Sequence, residues 1–376
     1  MAQIDSLVNQ FPLVDNGTLS SIFNLFYIIL FIIFMFYGQK IQVLVALREI
    51  GGAVDRLKGM KDDARHKVIV AIKETGDPKS DPTPRIDQLI EYFTTMPISL
   101  DPAGVVPKID HIINVRHQRF KGEVKIMLPS AEEVQISNLE GALDITLDLN
   151  AIYKVVRHYF LLSKQSMSIY VLMQLQMSMP LIMKEAEALA GAMTAFTHGQ
   201  PIGDGAGAFV AAKLMYKKEK KIVAEDTVMV ETDLDNRKML VLKAKGPGYS
   251  TGKTGEAIRK LIEEYNGKIS MVVMVDAGSK LEGETTGETV EGVGTAIGGT
   301  GVEEFQIEDV LTKYSIPINS VVIKESLLEA ISPMKKEIAD AVDVALAKVR
   351  RLILENTKEG DVIILAGIGN TIGIGQ

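Results

Sequence analysis

The sequence predicts an α/β protein: a helical first half, then a mainly parallel sheet flanked by helices, the whole preceded by one N-terminal transmembrane helix. Three observations lead there. Apolar runs of Val, Ile, Leu and Met at 227–231, 239–243, 271–275, 318–323 and 361–366 alternate with amphipathic helical patterns at 255–265, 303–314 and 333–356. Such alternation is the mark of parallel strands joined by crossover helices. Residues 85–197 carry helical periodicity, and Ile22–Gly38 reads IFNLFYIILFIIFMFYG with Asn24 its one strongly polar side chain.

The elements follow in order. Ile22–Gly38 would span ~25 Å as a helix, and adding Ile41–Leu44 extends it toward the ~30 Å hydrocarbon core, so 22–44 is expected to cross a bilayer. No Lys or Arg precedes residue 40, whereas Lys40, Arg48, Arg56, Lys58 and Lys61 follow. The positive-inside rule then puts tail 1–21 outside, with its Asn16-Gly17-Thr18 sequon, and the body in the cytoplasm of a single-pass membrane protein. Residues 45–84 are expected to form a juxtamembrane helix and a linker, GDPKSDPTP. The helical region 85–197 is interrupted at 99–107, and Ser130-Ala-Glu-Glu133 has the capping-box pattern. Its methionines, Met167 to Met193, read as core packing. Residues 198–376 form the α/β domain.

Composition sets bounds. Of 376 residues 47% are apolar, enough for a sizeable core, and the net charge of −7 argues against nucleic acid as a partner. Cysteine is absent, which excludes disulfides, thiolate metal sites and cysteine nucleophiles.

Ligands in open parallel sheets bind beyond the carboxyl ends of the strands. Three glycine-rich segments fall there: PIGDGAGAFVAAKL with Asp204, KAKGPGYSTGKTGEA, and MVVMVDAGSK with Asp276. Asp204 reads equally well as a helix N-cap. In the second segment Gly246, Gly248 and Gly252 suit a tight turn or a substrate-lining backbone, and Thr251 and Thr254 suit a substrate hydrogen bond or a cap. Gly252-Lys253-Thr254 looks like a phosphate-binding loop, but Pro247 stands where that motif needs its first glycine.

Taken in order, Asp204-x-x-Gly207 before a helix, GPGYSTGKTGEA, a strand ending in Asp276-Ala277, GVGTAIGGTGVE and IPINSVVI resemble the spore germination protease and, more distantly, the hydrogenase maturation proteases. The resemblance covers roughly 198–326. It implies a phosphorylase/hydrolase-like sheet with two facing acids, here Asp204 and Asp276. The relatives open with a strand ending in Gly-x-Gly-Asn upstream of the first acid. Here that motif is Gly367-Ile368-Gly369-Asn370 at the far end of the chain, which implies a circular permutation placing Gly369 and Asn370 at the site. The whole chain also resembles an archaeal family of membrane-anchored proteins of unknown function.

The expected activity is a membrane-tethered hydrolase, a peptidase using the Asp204/Asp276 pair on a protein or peptide substrate. Two acids in one pocket split into a protonated and an ionised partner, or hold a divalent metal. Third-ligand candidates are His198, Glu282, Glu284 and Glu288, each with a bland surface reading beside it. The alternatives are a non-catalytic membrane scaffold, with a homo-oligomer allowed for, and a nucleotide-binding protein using loop 246–254.

Overall fold

The computed structural model describes residues 16–76, 78, 80–97 and 104–375. Two compact units emerge: Met1–Arg56 with Lys154–Pro180, and Leu57–Tyr153 with Leu181–Gln376. Five long or medium helices come first: α1 (Asn16–Gly76), α2 (Thr83–Ile90), α3 (Val105–Met127), α4 (Glu133–Ser166) and α5 (Ile169–His198). In the first unit Val43, Ala46, Ile50 and Val54 are buried along α1, and Leu172, Leu175 and Met179 along α5. Spacings of three and four put each set on one helix face. There Gln176 donates to Glu49 at 2.8 Å.

The expected transmembrane helix is overturned. Among the described residues no helix is long and apolar enough to cross a membrane. The chain is helical across 22–44, but the apolar run Ile22–Gly38 is interrupted by Asn24 and ended by Gln39 and Lys40. A hydrocarbon core of ~30 Å asks for about 20 residues. The single-pass topology falls with it. Of the tail 1–21, residues 1–15 lie outside the described residues, as do 77 and 79 of the expected linker and 98–103 around the expected helix break.

The second unit carries the sheet. After a 3-10 turn (Gly203–Gly205) come α6 (Ala206–Met215), β1 (Lys221–Ala224), β2 (Thr227–Leu234), β3 (Arg237–Ala244), α7 (Thr254–Glu264), β4 (Met271–Ser279), β5 (Thr289–Val293), α8 (Val302–Tyr314), β6 (Ile318–Glu325), α9 (Leu327–Ile331), α10 (Lys336–Asn356) and β7 (Val362–Gly367). The seven strands lie in the order β1-β2-β3-β7-β4-β6-β5. β3, β7, β4 and β6 run parallel, while β1, β2 and β5 join antiparallel at the edges, so the sheet is mixed.

The central strands read as unbroken apolar runs because both their faces are covered. Ile363 and Leu365 of β7 join Val210, Met215, Val342 and Ile353 beneath α6 and α10. Ile364 and Ala366 face the other way, toward Ile258, Leu261, Ile307 and Leu311 of α7 and α8. The C-terminal strand is thus the middle of a three-layer sandwich, bonded in register to β3 on one side and β4 on the other.

Laying α6 over that middle strand requires glycine. A Cβ on Gly207 would strike the carbonyl oxygens of Val275 and Ile368, and one on Gly367 would strike the backbone of Gly207. Helix propensity alone favours Gly207→Ala by about 1 kcal/mol. The backbone contact reverses the sign: urea unfolding of Gly207→Ala is expected to show a loss of about 1–3 kcal/mol, the cost of overpacking a close contact.

Candidate functional site

The site is assembled at the carboxyl end of the parallel strands. Val275 O, midway along β4, accepts the N–H of Ile368 at 2.8 Å, which ties β4 to the exit of β7. The turn Gly203–Gly205 packs on β4 beside this junction and delivers Asp204. Asp204 is not the expected N-cap. That position belongs to Gly205, and no side chain caps α6. The carboxylate of Asp204 instead accepts the backbone N–H of Asn370 at 2.9 Å. Gly369, at φ +110°, makes the turn possible, since a Cβ there would run into the carbonyl oxygen of Asp204. The Asn370 side chain accepts the N–H of Ile372 at 2.9 Å and holds the turn closed.

Asp276 is 8% exposed, and its carboxylate accepts only the N–H of Ala277, at 2.8 Å. Burial holds its carboxyl well above the usual carboxylate range, and the neighbouring charge of Asp204 pushes in the same direction. Burial also raises Asp204, opposed by the hydrogen bond from Asn370. The two sequence-predicted acids thus lie within electrostatic reach of each other, and among the described residues neither is ion-paired with a cation.

A third acid was not anticipated. Glu325, the last residue of β6, is 2% exposed, and neither carboxyl oxygen finds a hydrogen-bond partner in the protein. It lies against Gly203, where a Cβ would strike its Oε2. Burial, then the charges of Asp204, Glu329 and Asp276, push its carboxyl up to about 8. The strand-end rule that singled out Asp276 reaches Glu325 as well, once β6 is extended past Ile323 through the polar pair Lys324-Glu325. Its neighbour Glu329 behaves oppositely. Although burial opposes ionisation there, bonds from Lys335 at 2.9 Å, the Ser326 N–H at 2.7 Å and Thr286 hold its carboxyl well below the usual range.

The remaining candidates lie elsewhere. Gly246 packs on Ile374 and Gly248 on Ser137 of α4, so the first part of the loop is filled with protein. Thr371 donates to Gly248 O at 3.0 Å, Ser137 donates to Tyr249 O at 2.5 Å, and Asn138 accepts the N–H of Tyr249 at 3.1 Å. Gly252, at φ +65°, packs on Thr227 and Asp226, and Thr254 is buried in the first turn of α7. Thr251 is exposed and borders a separate cavity of about 190 Å³ lined by Arg116, His117, Glu140 and Asp144. Lys253, which a phosphate-binding loop would aim at its ligand, is ion-paired with Asp110 at 3.2 Å. The N–H of Gly255, at the mouth of α7, is taken by Glu303. A carboxylate already sits where a phosphate would have to bind.

Among the described residues no group of three or more His, Asp or Glu side chains is arranged to hold a metal ion. His198 is exposed and bonded to Thr194 O at 2.9 Å. Glu284 and Glu288 are ion-paired with Lys324 at 2.5 and 3.4 Å, and Glu282 is exposed.

Family comparison divides the chain at the entrance to this site. Residues 24–199 match "Protein of unknown function (DUF1512) N-terminal domain", and residues 202–375 match "Domain of unknown function (DUF1512) C-terminal". The chain belongs to the DUF1512 family. Asp204, Asp276, Glu325 and the Gly369-Asn370 turn all fall in the C-terminal DUF1512 domain. No curated protein matches the chain.

The buried acid fixes a pH dependence. Glu325 holds its proton more tightly folded, up to about 8, than at its ordinary value of 4.5. Its contribution to stability is therefore fully present below pH ~4.5 and lost as pH rises toward 8. The melting temperature of the wild type should fall between pH 5 and 8, and Glu325→Gln should flatten that slope, raising the pH 8 value by a few degrees. Calorimetric scans of both proteins at fixed ionic strength check it.

Proposed function

We propose that the C-terminal half is a hydrolase acting on amide bonds of a protein or peptide substrate, with Asp204 and Asp276 as its working acids. The observation that carries the proposal is the approach of half-buried Asp204 to buried Asp276, from separate elements, with neither ion-paired to a cation among the described residues. Such a pair splits its roles. Asp204 keeps a hydrogen bond that favours its ionised form and serves as the base. Asp276, more strongly raised, holds the proton.

The reaction then balances without a nucleophilic side chain. The water oxygen bonds to the carbonyl carbon as Asp204 takes one water proton and Asp276 gives its proton to the carbonyl oxygen. In the second step Asp276 recovers a proton from a hydroxyl of the tetrahedral intermediate. Asp204 passes its proton to the nitrogen, the C–N bond breaks, and both acids return to their starting states.

The likeness to the germination and maturation proteases supports this reading on one further point. The relatives carry a Gly-x-Gly-Asn motif just upstream of the first acid, and here Gly367-Ile368-Gly369-Asn370, following the C-terminal strand, lies beside Asp204. The nucleotide alternative finds less support, because Lys253 and the N–H of Gly255 already have acidic partners.

Hydrolysis of a denatured-protein or peptide-library substrate, followed by mass spectrometry, tests the assignment. Asp204→Asn and Asp276→Asn should each lower the rate about 10²–10⁴-fold, the usual worth of a general acid or base. Both should melt within a few degrees of the wild type at pH 7, because each replaces a buried acid that burial already disfavours as an ion. Full turnover in either variant, or early unfolding of both, would favour a non-catalytic assembly role instead.

A further inference from the structure

Buried carboxyl oxygens without a partner are rare, since each forfeits its hydrogen bonds to water and gains nothing back. Glu325 has two of them. Its setting explains why it stays unpaired. The turn at Gly203 closes on it from one side, and Gly203 itself is fixed by donating to Ser332 O at 3.2 Å. The cations nearby are spoken for by Glu329: Lys335 at 2.9 Å and Lys280 at 3.8 Å. The charges that bear on Glu325 are acidic: Asp204 on the 3-10 turn, Glu329 on α9 and Asp276 on β4.

We infer that Glu325 is the third member of the acid site, a positioning residue that shares protons with Asp204 and Asp276 and sets how many of the three carry charge. The inference rests on the reading of Asp204 and Asp276 as the working pair, and adds the group that regulates them. With Glu325 neutral, Asp204 is the one acid whose ionisation the site must accommodate. Once Glu325 ionises, its charge raises the proton affinity of the pair, so Asp276 keeps its proton to higher pH and the pair stays singly protonated over a wider range. Burial of Glu325 fits this indirect role, because it acts through the charge of its neighbours and never meets the substrate.

Carboxyl ¹³C NMR of the intact chain, labelled at Asp and Glu and titrated from pH 4 to 9, tests the coupling without needing a substrate. In the wild type the three acids should titrate in overlapping steps, that of Glu325 near 8 and those of Asp204 and Asp276 above the usual carboxylate range. Glu325→Gln should delete one late step and move the last step of the remaining pair down by about one pH unit, because a neighbouring charge has gone. The reciprocal variant, Asp276→Asn, should move the Glu325 step down, which keeps the test decisive even if Glu325→Gln does not fold. A Glu325 step near 4.5, or Asp steps indifferent to Glu325→Gln, would overturn the inference.

The pH–rate profile separates this outcome from that of the hydrolase reading. If hydrolysis depends on Asp204 and Asp276, Glu325→Gln should retain turnover at neutral pH and pull the alkaline limb down by about one pH unit, because Asp276 then loses its proton earlier. Coupled titration with no hydrolysis of any substrate would defeat the hydrolase and leave the three-acid unit standing. Hydrolysis that needs both aspartates but shows no coupling to Glu325 would do the reverse.

Discussion

The close approach of one helix to the ends of two strands is the constraint on which the rest of the site depends. Gly207 rests on the carbonyl oxygens of Val275 and Ile368, Gly367 lies under the backbone of Gly207, and Gly369 meets the carbonyl of Asp204. No Cβ separates these backbones. Every side chain that matters is set by that contact: Asp204 one turn before Gly207, Asp276 one residue after Val275, and Asn370 two residues after Ile368. The glycines have a steric reason at these positions, whatever else they do. The precision they give is that of packed backbone, which is less compressible than a side-chain contact.

Concentrating three acids at such a place opposes folding unless protons neutralise them. Buried ions of like sign are costly, and the effective remedy is to ionise fewer of them. Glu329 shows the other solution a few residues away. It recruits Lys335, Thr286 and the Ser326 backbone, reciprocally caps α9 with Ser326, and stays charged. The chain thus supplies a cation where a carboxylate is structural, and among the described residues it places none against Glu325, Asp204 or Asp276. That contrast, within one stretch of fold, is the best reason to treat the unpaired acids as a working unit.

How much of this the sequence disclosed follows from burial. The strands buried on both faces were legible as apolar runs, and the strand-end rule led straight to Asp276. The edge strands β1 and β5 were not, because their exposed faces leave no apolar run to read. Their antiparallel pairing makes the sheet more mixed than the alternation of runs and helices implied. Glu325 was hidden for a related reason. Lys324-Glu325 reads as an ordinary solvated charge pair, and only the fold shows Lys324 turned to Glu284 while Glu325 points inward. The transmembrane expectation joined two apolar stretches across Gln39 and Lys40, whereas among the described residues no helix is long and apolar enough to cross a membrane. Asp204 was ambiguous between cap and site, and the ambiguity could be resolved only by Asn370, distant in sequence and adjacent in space.

The tail that ends the chain links the acids to the glycine loop. Asn370 bonds Asp204 through its backbone, and the next residue, Thr371, bonds Gly248 O and accepts no position in the acid site itself. Thr371 N–H also donates to Ser250 O at 3.0 Å, and Gly373 N–H to Pro247 O at 2.9 Å. On its other side the same loop is bonded to Ser137 and Asn138 of α4. The loop is therefore a clamp between the C-terminal tail and a helix of the N-terminal family domain. Its resemblance to a phosphate-binding loop reflects the shared need for a tight strand-to-helix turn. Because Asn370 and Thr371 are consecutive, the backbone that fixes Asp204 is the backbone that the clamp holds. Any shift of α4 against the sheet would reach the acid pair through that one peptide, which gives the helical domain a physical route to the site.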